Sequence, residues 1–368
     1  MDIQSTKHIL LLGAGFTKNF GGLLADEMWN EIFNHERIQA HPRIKKFMLN
    51  NFDYESIYHS VLEGVRDEKG TFLPSEFTDD EKDAVKDATE SAYTFIDENL
   101  RGHIINHSRP THLYNVNNLM HTIGSQRQKN EIIIDGKTHF FSTDLTNKSF
   151  IFTLNQDLFF ERLYSNSASA ELSIPGIENN PEWFTTRFNK PLEPSDYCRL
   201  PTEYELKPMK DSLLEVGGYF LIKLHGSCNW ISSNGSDDVM VIGKGKTEKI
   251  DNEPLLKHYF EIFDYVLSKG ECRLLIIGYS FGDEHINRII SKAITDHGLK
   301  IYILSNLSSK ILKEKLFEGS QVSKDIVNIW ESISGYFPNV KETLEDTDFN
   351  LAKNKHLYDS FFDKQYII

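Results

Sequence analysis

The stretch LLIIGYSFGDEHINRII, Leu274–Ile290, joins an apolar run to a helical pattern through a Gly-Tyr-Ser-Phe-Gly turn. A short continuous apolar run is what a strand buried on both faces of a parallel sheet requires. A strand–glycine turn–helix junction is also where open α/β sheets hold phosphate-bearing ligands. Asp283 stands where a helix N-cap or first-turn acid belongs. His285, on the helix itself, reads as a structural or interface residue.

Three further stretches repeat this junction. HILLLGAGFTKNFGG (His8–Gly22) places an apolar strand before Gly13, Ala14, Gly15 and Thr17, with a helix expected beyond Gly22 over Ala25–Phe33. SFIFTLNQDLFFERLY (Ser149–Tyr164) reads as strand, polar turn and helix, with Asn155 and Asp157 in the turn. GYFLIKLHGSCNW (Gly218–Trp230) ends a strand at His225-Gly226. In a parallel sheet all four turns fall on the carboxyl edge. The fold class is therefore α/β: a Rossmann-like parallel sheet with helices on both faces, a mostly helical insertion at about 52–124 and a helical C-terminal tail. Leu255–Leu267 and Glu284–Thr295 read as helices, and Arg273–Ile277 and Lys300–Leu304 as strands. Glu131–Phe141 carries Asp-Gly between apolar runs, a hairpin signal. Residues 176–212, rich in Pro, Asn and charge, read as a long surface loop.

Each turn has an ordinary explanation when taken alone. Gly13–Thr17 lacks the third glycine of a dinucleotide fingerprint at the usual spacing. Asp157 suits a helix cap, and a single His at a strand end is more often structural than catalytic. GKGKT, Gly243–Thr247, invites a phosphate-loop reading, but Met240 occupies the position of the first glycine and no helical pattern follows. It reads as an exposed basic loop.

Composition narrows the function classes. The chain has 368 residues, 39% of them hydrophobic and 12% aromatic, enough for a large packed core. A formal net charge of −14 opposes non-specific contact with nucleic acid. No apolar run approaches the roughly 18 residues of a membrane span. Asp2 and Gln4 stand where a signal peptide would be basic. The three cysteines, Cys198, Cys228 and Cys272, form no CxxC pair, so the expected setting is a reducing cytoplasm.

The ordered set Gly13-Ala14-Gly15, Thr153-x-Asn155-x-Asp157, His225-Gly226 and Gly278-Tyr279-Ser280 resembles the sirtuin-like family, with Gly21 also matching a loop glycine. The resemblance covers roughly 8–34 and 148–306. It implies a domain over 1–306 and a helical extension over 307–368. It also implies NAD+ as substrate. In that reading Asn155 orients water and ribose, His225 acts as general base with an ordinary pKa near 6.5, and Asp157 contacts the nicotinamide amide or ribose. Gly13, Ala14, Gly15 and Thr17 cradle the phosphates. Gly278 and Ser280 hold the second ribose or phosphate, and Ser305 and Asn306 reach the adenosine ribose. Deacylating sirtuins carry two CxxC pairs after the His-Gly turn, which this chain lacks, so no zinc module is expected. Their Pro-Asp-Phe-Arg segment is replaced by Gly21–Trp29. GYSFGDEHIN and DYESIY (Asp53–Tyr58) resemble bacterial sirtuin-like NADases of anti-phage defence, and the short chain resembles subunits that assemble with a HerA-type ATPase. The resemblance thus implies an NAD+ glycohydrolase that depletes NAD+ in anti-phage defence, homo-oligomeric and regulated by such a partner or by oligomerisation. A deacylase or ADP-ribosyltransferase on the same core, and a non-catalytic NAD or ADP-ribose sensor, are the competing readings.

Overall fold

The computed structural model describes residues 7–66, 72–106, 129–134, 137–142, 148–164, 172–177, 190–215, 219–235, 238–243, 246–318, 322–338, 340, 357, 360 and 361. Its strands, in chain order, are β1 (His8–Leu12), β2 (Gly64–Arg66), β3 (Phe72–Pro74), β4 (Lys129–Ile134), β5 (Lys137–Ser142), β6 (Ser149–Thr153) and β7 (Leu172–Ser173). They continue as β8 (Cys198–Arg199), β9 (Tyr219–Lys223), β10 (Gly226–Ile231), β11 (Asp238–Met240), β12 (Arg273–Ile277), β13 (Lys300–Ser305) and β14 (Ile333–Pro338).

Seven of them form one sheet in the order β14-β13-β12-β1-β6-β9-β7, and every pairing is parallel. Leaving aside the two-residue β7, this is the doubly wound order 3-2-1-4-5-6 of dinucleotide-binding sheets. The chain leaves β1 for β6 and β9 on one side, then returns to β12 on the other. Its switch point lies between β1 and β12. Ile9–Leu12, Phe150–Phe152 and Leu274–Ile277 are all essentially inaccessible, as strands covered on both faces must be.

Helices Ala25–Asn34, Glu36–Ala40, Pro42–Met48, Tyr54–Leu62 and Asp79–Asn106 occupy the stretch between β1 and β4. The segment 52–124 is thus helical through two of these helices, but it also contains the β2–β3 hairpin, and 107–128 lie outside the described residues. The hairpin expected over 131–141 is present as β4–β5. The helix after β1 starts earlier than expected: a single turn, Ala14–Thr17, precedes the Ala25 helix. The loop reading of 176–212 is corrected. Residues 178–189 lie outside the described residues, but β8 pairs with β10 in a three-stranded sheet, and Leu200 and Leu206 are buried. Their apolar side chains were legible as residues, but the partner strand was not.

The tail forms helices Ser309–Leu316 and Lys324–Glu331, and then supplies β14 to the sheet edge. Among the described residues no helix is long and apolar enough to cross a membrane.

An aromatic cluster fixes the carboxyl edge of the sheet. Phe16 stacks on Phe160 with centroids 5.8 Å apart and meets Phe159 edge-on at 5.4 Å; Phe20 lies 4.6 Å from Phe159. These contacts weld the turn after β1 to the turn after β6, since buried aromatic pairs add roughly 0.5–1.5 kcal/mol each beyond their area burial.

Candidate functional site

Five successive strand ends bring the candidate residues to one edge, in the order β13 (Ser305, Asn306), β12 (Gly278, Ser280), β1 (Gly13–Thr17), β6 (Asn155, Asp157) and β9 (His225). At the switch point the two glycine turns pack on each other through their backbones. Gly15 N donates to Gly278 O at 2.9 Å, and Gly13 N to Ile277 O at 2.9 Å. Gly278 has φ +65°, and a Cβ there would stand 2.3 Å from the Gly15 carbonyl carbon; one on Gly13 would stand 2.7 Å from Gly278 O. Glycine is required at both turns by this mutual approach. Gly13 is buried, while Ala14 and Ser280 are exposed.

Beside this junction, Asn155 Nδ2 donates to Gly13 O at 3.0 Å and to Thr17 Oγ1 at 3.3 Å. With that amide assignment, Asn155 Oδ1 accepts no hydrogen bond from a described residue and is the group left for a ligand or water. Thr17 is buried, and its hydroxyl donates to Ala14 O at 3.4 Å. Asp157 Oδ1 accepts from Phe159 N at 3.0 Å, the helix-capping role. Burial holds the Asp157 carboxyl above its ordinary pKa, against the nearby Lys223 charge. Lys223 is fully buried and spends its three protons on Asp157 O (2.6 Å), Glu161 Oε1 (2.8 Å) and Ser227 Oγ (2.7 Å), which pins the turn from below. At the far end, Ser305 Oγ accepts from Leu307 N, while Asn306 Oδ1 accepts from Val340 N at 2.9 Å. Both side chains are therefore engaged within the protein.

His225 is 3% exposed. Its Nε2 lies 3.0 Å from Nε2 of His285. Burial pushes the pKa of His225 down to about 3 and that of His285 to about 4. This corrects the ordinary value near 6.5: both rings are neutral at pH 7, and one donates to the other. His285 is thus a direct neighbour of His225. Asp283 stands at the N-cap of the helix Glu284–His297, but its side chain makes no capping bond. Instead Asp283 Oδ1 accepts from Lys246 Nζ at 2.7 Å, and the same ammonium meets Glu55 Oε2 at 2.8 Å.

The exposed-loop reading of Gly243–Thr247 is therefore corrected at Lys246. Its side chain is 13% exposed, and it begins a helix, Lys246–Asn252. Two acids distant in sequence create its place, which local pattern cannot reveal. Burial opposes the Lys246 charge, but Asp283 and Glu55 outweigh it and hold the ammonium above its ordinary pKa.

The turn Gly278–Asp283 is held in an unusual shape. Phe281 has φ +60°, uncommon for a bulky residue. Asn287 Nδ2 clamps its carbonyl at 2.7 Å, and Asp283 N donates to the Tyr279 hydroxyl at 3.1 Å. The helical layer reaches the same place: the Tyr93 hydroxyl donates to Gln156 Oε1, and Gln156 Nε2 donates to Val241 O at 3.2 Å. Asp97 pairs with Arg162 at 2.9 Å. Sequence reasoning singled out none of Glu55, Gln156, Lys246 and Asn287 as site residues. The available signal for Asn287 was a buried-face amide four positions after Asp283. The donor atoms of His225, Asp283 and His285 lie within 4.8 Å of one another.

Residues 149–323 match the family model described as SIR2-like domain. The match spans β6 to β13, and hence the turns bearing Asn155, His225, Gly278 and Ser305. It supports a Sir2-type family and an NAD-related activity. No curated protein sequence matches the chain.

Proposed function

We propose that the protein is an NAD+ glycohydrolase, converting NAD+ and water to nicotinamide, ADP-ribose and a proton. The observation that carries this reading is the placement of Asn155 and His225 on the ends of adjacent parallel strands, beside the β1 turn, with Asn155 Oδ1 left open and His225 neutral. Nicotinamide leaves as a neutral molecule from a cationic pyridinium, so the ribose becomes an oxocarbenium-like electrophile, as in glycoside cleavage. Such a centre needs an oriented water more than a strong base. In this reading Asn155 Oδ1 orients the water, and the His225–His285 pair relays its proton to solvent. Ala14 and Ser280, exposed at the switch point, face the dinucleotide.

The proposal includes a defence role with a HerA-type ATPase partner and a homo-oligomeric assembly. Its support is the GYSFGDEHIN and DYESIY resemblance, together with the junction of those two segments through Lys246. Co-purification and light scattering of the purified chain, alone and with such an ATPase, test that part.

The activity is tested by incubating wild type, Asn155→Ala and His225→Ala with NAD+ and following nicotinamide and ADP-ribose by chromatography. Equal amounts of both products from wild type, lost in both variants, are expected. Nicotinamide without free ADP-ribose would make the protein a transferase, and release undiminished in both variants would sink the assignment of the site.

A further inference from the structure

We propose that His225, His285 and Asp283 form a binding site for a divalent transition-metal ion, and that its occupation silences the site. The metal-binding part stands on geometry alone; the silencing part rests on the glycohydrolase reading.

Two imidazole nitrogens face each other at 3.0 Å, with a carboxylate oxygen within 4.8 Å of both. With Zn–N bonds near 2.0–2.1 Å, tetrahedral geometry separates two ligating nitrogens by about 3.3 Å. The histidine pair is already within a few tenths of an ångström of that spacing. Asp283 Oδ1 is taken by Lys246, and Oδ2 accepts no hydrogen bond from a described residue. Asp283 and His285 come from the start of one helix, and His225 from the turn after β9. The His225 backbone is fixed there, because its carbonyl accepts from Val241 N at 3.0 Å. Three protein ligands leave a fourth position for water.

Two imidazoles and one carboxylate suit Zn2+, Co2+ or Ni2+ rather than Mg2+ or Ca2+, which take all-oxygen sets. When the ion binds, the proton shared between the two Nε2 atoms moves to Nδ1 of its own ring, so both rings stay neutral and both lone pairs reach the metal. Behind the ligands, Lys246 orients Asp283 and is itself held by Glu55. The formal charges of Glu55, Asp283 and Lys246 sum to minus one, so a divalent ion leaves the cluster at plus one. Lys246 therefore both orients the ligand and opposes the ion. This gives the site a signature that a purely structural cluster lacks: removing a ligand weakens binding, whereas removing the ammonium tightens it.

The test uses the full chain, stripped with a chelator and dialysed. Co2+ is titrated in and followed by its visible absorption, and Zn2+ is then added to displace it. The expected result is one Co2+ per chain, displaced by Zn2+, with affinity reduced at least about tenfold in His285→Ala and increased in Lys246→Met. Absence of the Co2+ bands in wild type, or equal binding in His285→Ala, overturns the site. A thermal melt checks that each variant is folded; if His285→Ala is not, His285→Gln takes its place. Nicotinamide release is then measured in the stripped protein and after Zn2+. Release that Zn2+ stops in wild type supports silencing, and release that Zn2+ leaves unchanged despite bound metal overturns it. No release from the stripped protein counts against the glycohydrolase reading, while the Co2+ titration still decides the metal site.

Discussion

The turn after β1 and the turn after β9 stand two strands apart on one sheet edge, and they are held by opposite means. Gly13 and Gly15 are fixed by backbone against backbone: they meet Gly278 through main-chain atoms and leave no room for a Cβ. The His225 ring is met by side chains, with His285 against it and Asp283, Lys246 and Glu55 beyond. A backbone junction tolerates almost no substitution but performs no proton chemistry. A chain of ionisable side chains can be retuned at each link, and it joins the helix Tyr54–Leu62 to the sheet edge. The glycines thus serve as the frame, and in the proposed glycohydrolase the chemistry falls to the histidine side.

The most severe test of this division of labour is Gly278→Ala. It forces a Cβ into a left-handed residue and against Gly15, so an unfolding free energy lower by about 3 kcal/mol or more is expected in a urea titration. A loss under about 1 kcal/mol would mean that the turns can separate freely. Next, His225→Ala should lower nicotinamide release by at least about 100-fold while costing less stability than Gly278→Ala, measured on the same preparation. If instead it unfolds the protein as badly as the glycine variant, the histidine side is frame as well. Lys246→Met, which disconnects Glu55 from Asp283, should reduce release by about tenfold, equal to about 1.4 kcal/mol; an unchanged rate would remove the helical layer from the site. The smallest effect is expected at Gly282→Ala. Its φ is not positive and its nearest neighbour would be Ser280 Oγ at 3.6 Å, so stability should shift by no more than about 0.5 kcal/mol.

Legibility in the sequence followed the range of the interactions. Apolar runs such as Ile9–Leu12 and Leu274–Ile277 announced buried strands, because an all-apolar stretch of that length has few other uses. The glycines at 13, 15 and 278 announce tight turns, but not that the turns fill each other's Cβ positions, a contact between segments far apart in the chain. β14 was hidden inside an amphipathic tail, because an edge strand with half-exposed side chains has little periodic signature. Lys246 looked like a solvated loop cation, since neither Glu55 nor Asp283 is near it in sequence.

The parallel sheet, the order of the polar turns along the chain and the residue types they carry are all written in the sequence. They depend on hydrophobic runs and turn chemistry, which act over a few residues. Tertiary packing alone sets the return of β12 beside β1, the closure of two glycine turns on one another, and the neutrality of His225 against His285. Each of those results from groups tens to hundreds of residues apart sharing one dry space. There, burial and contact set both the backbone shape and the protonation state.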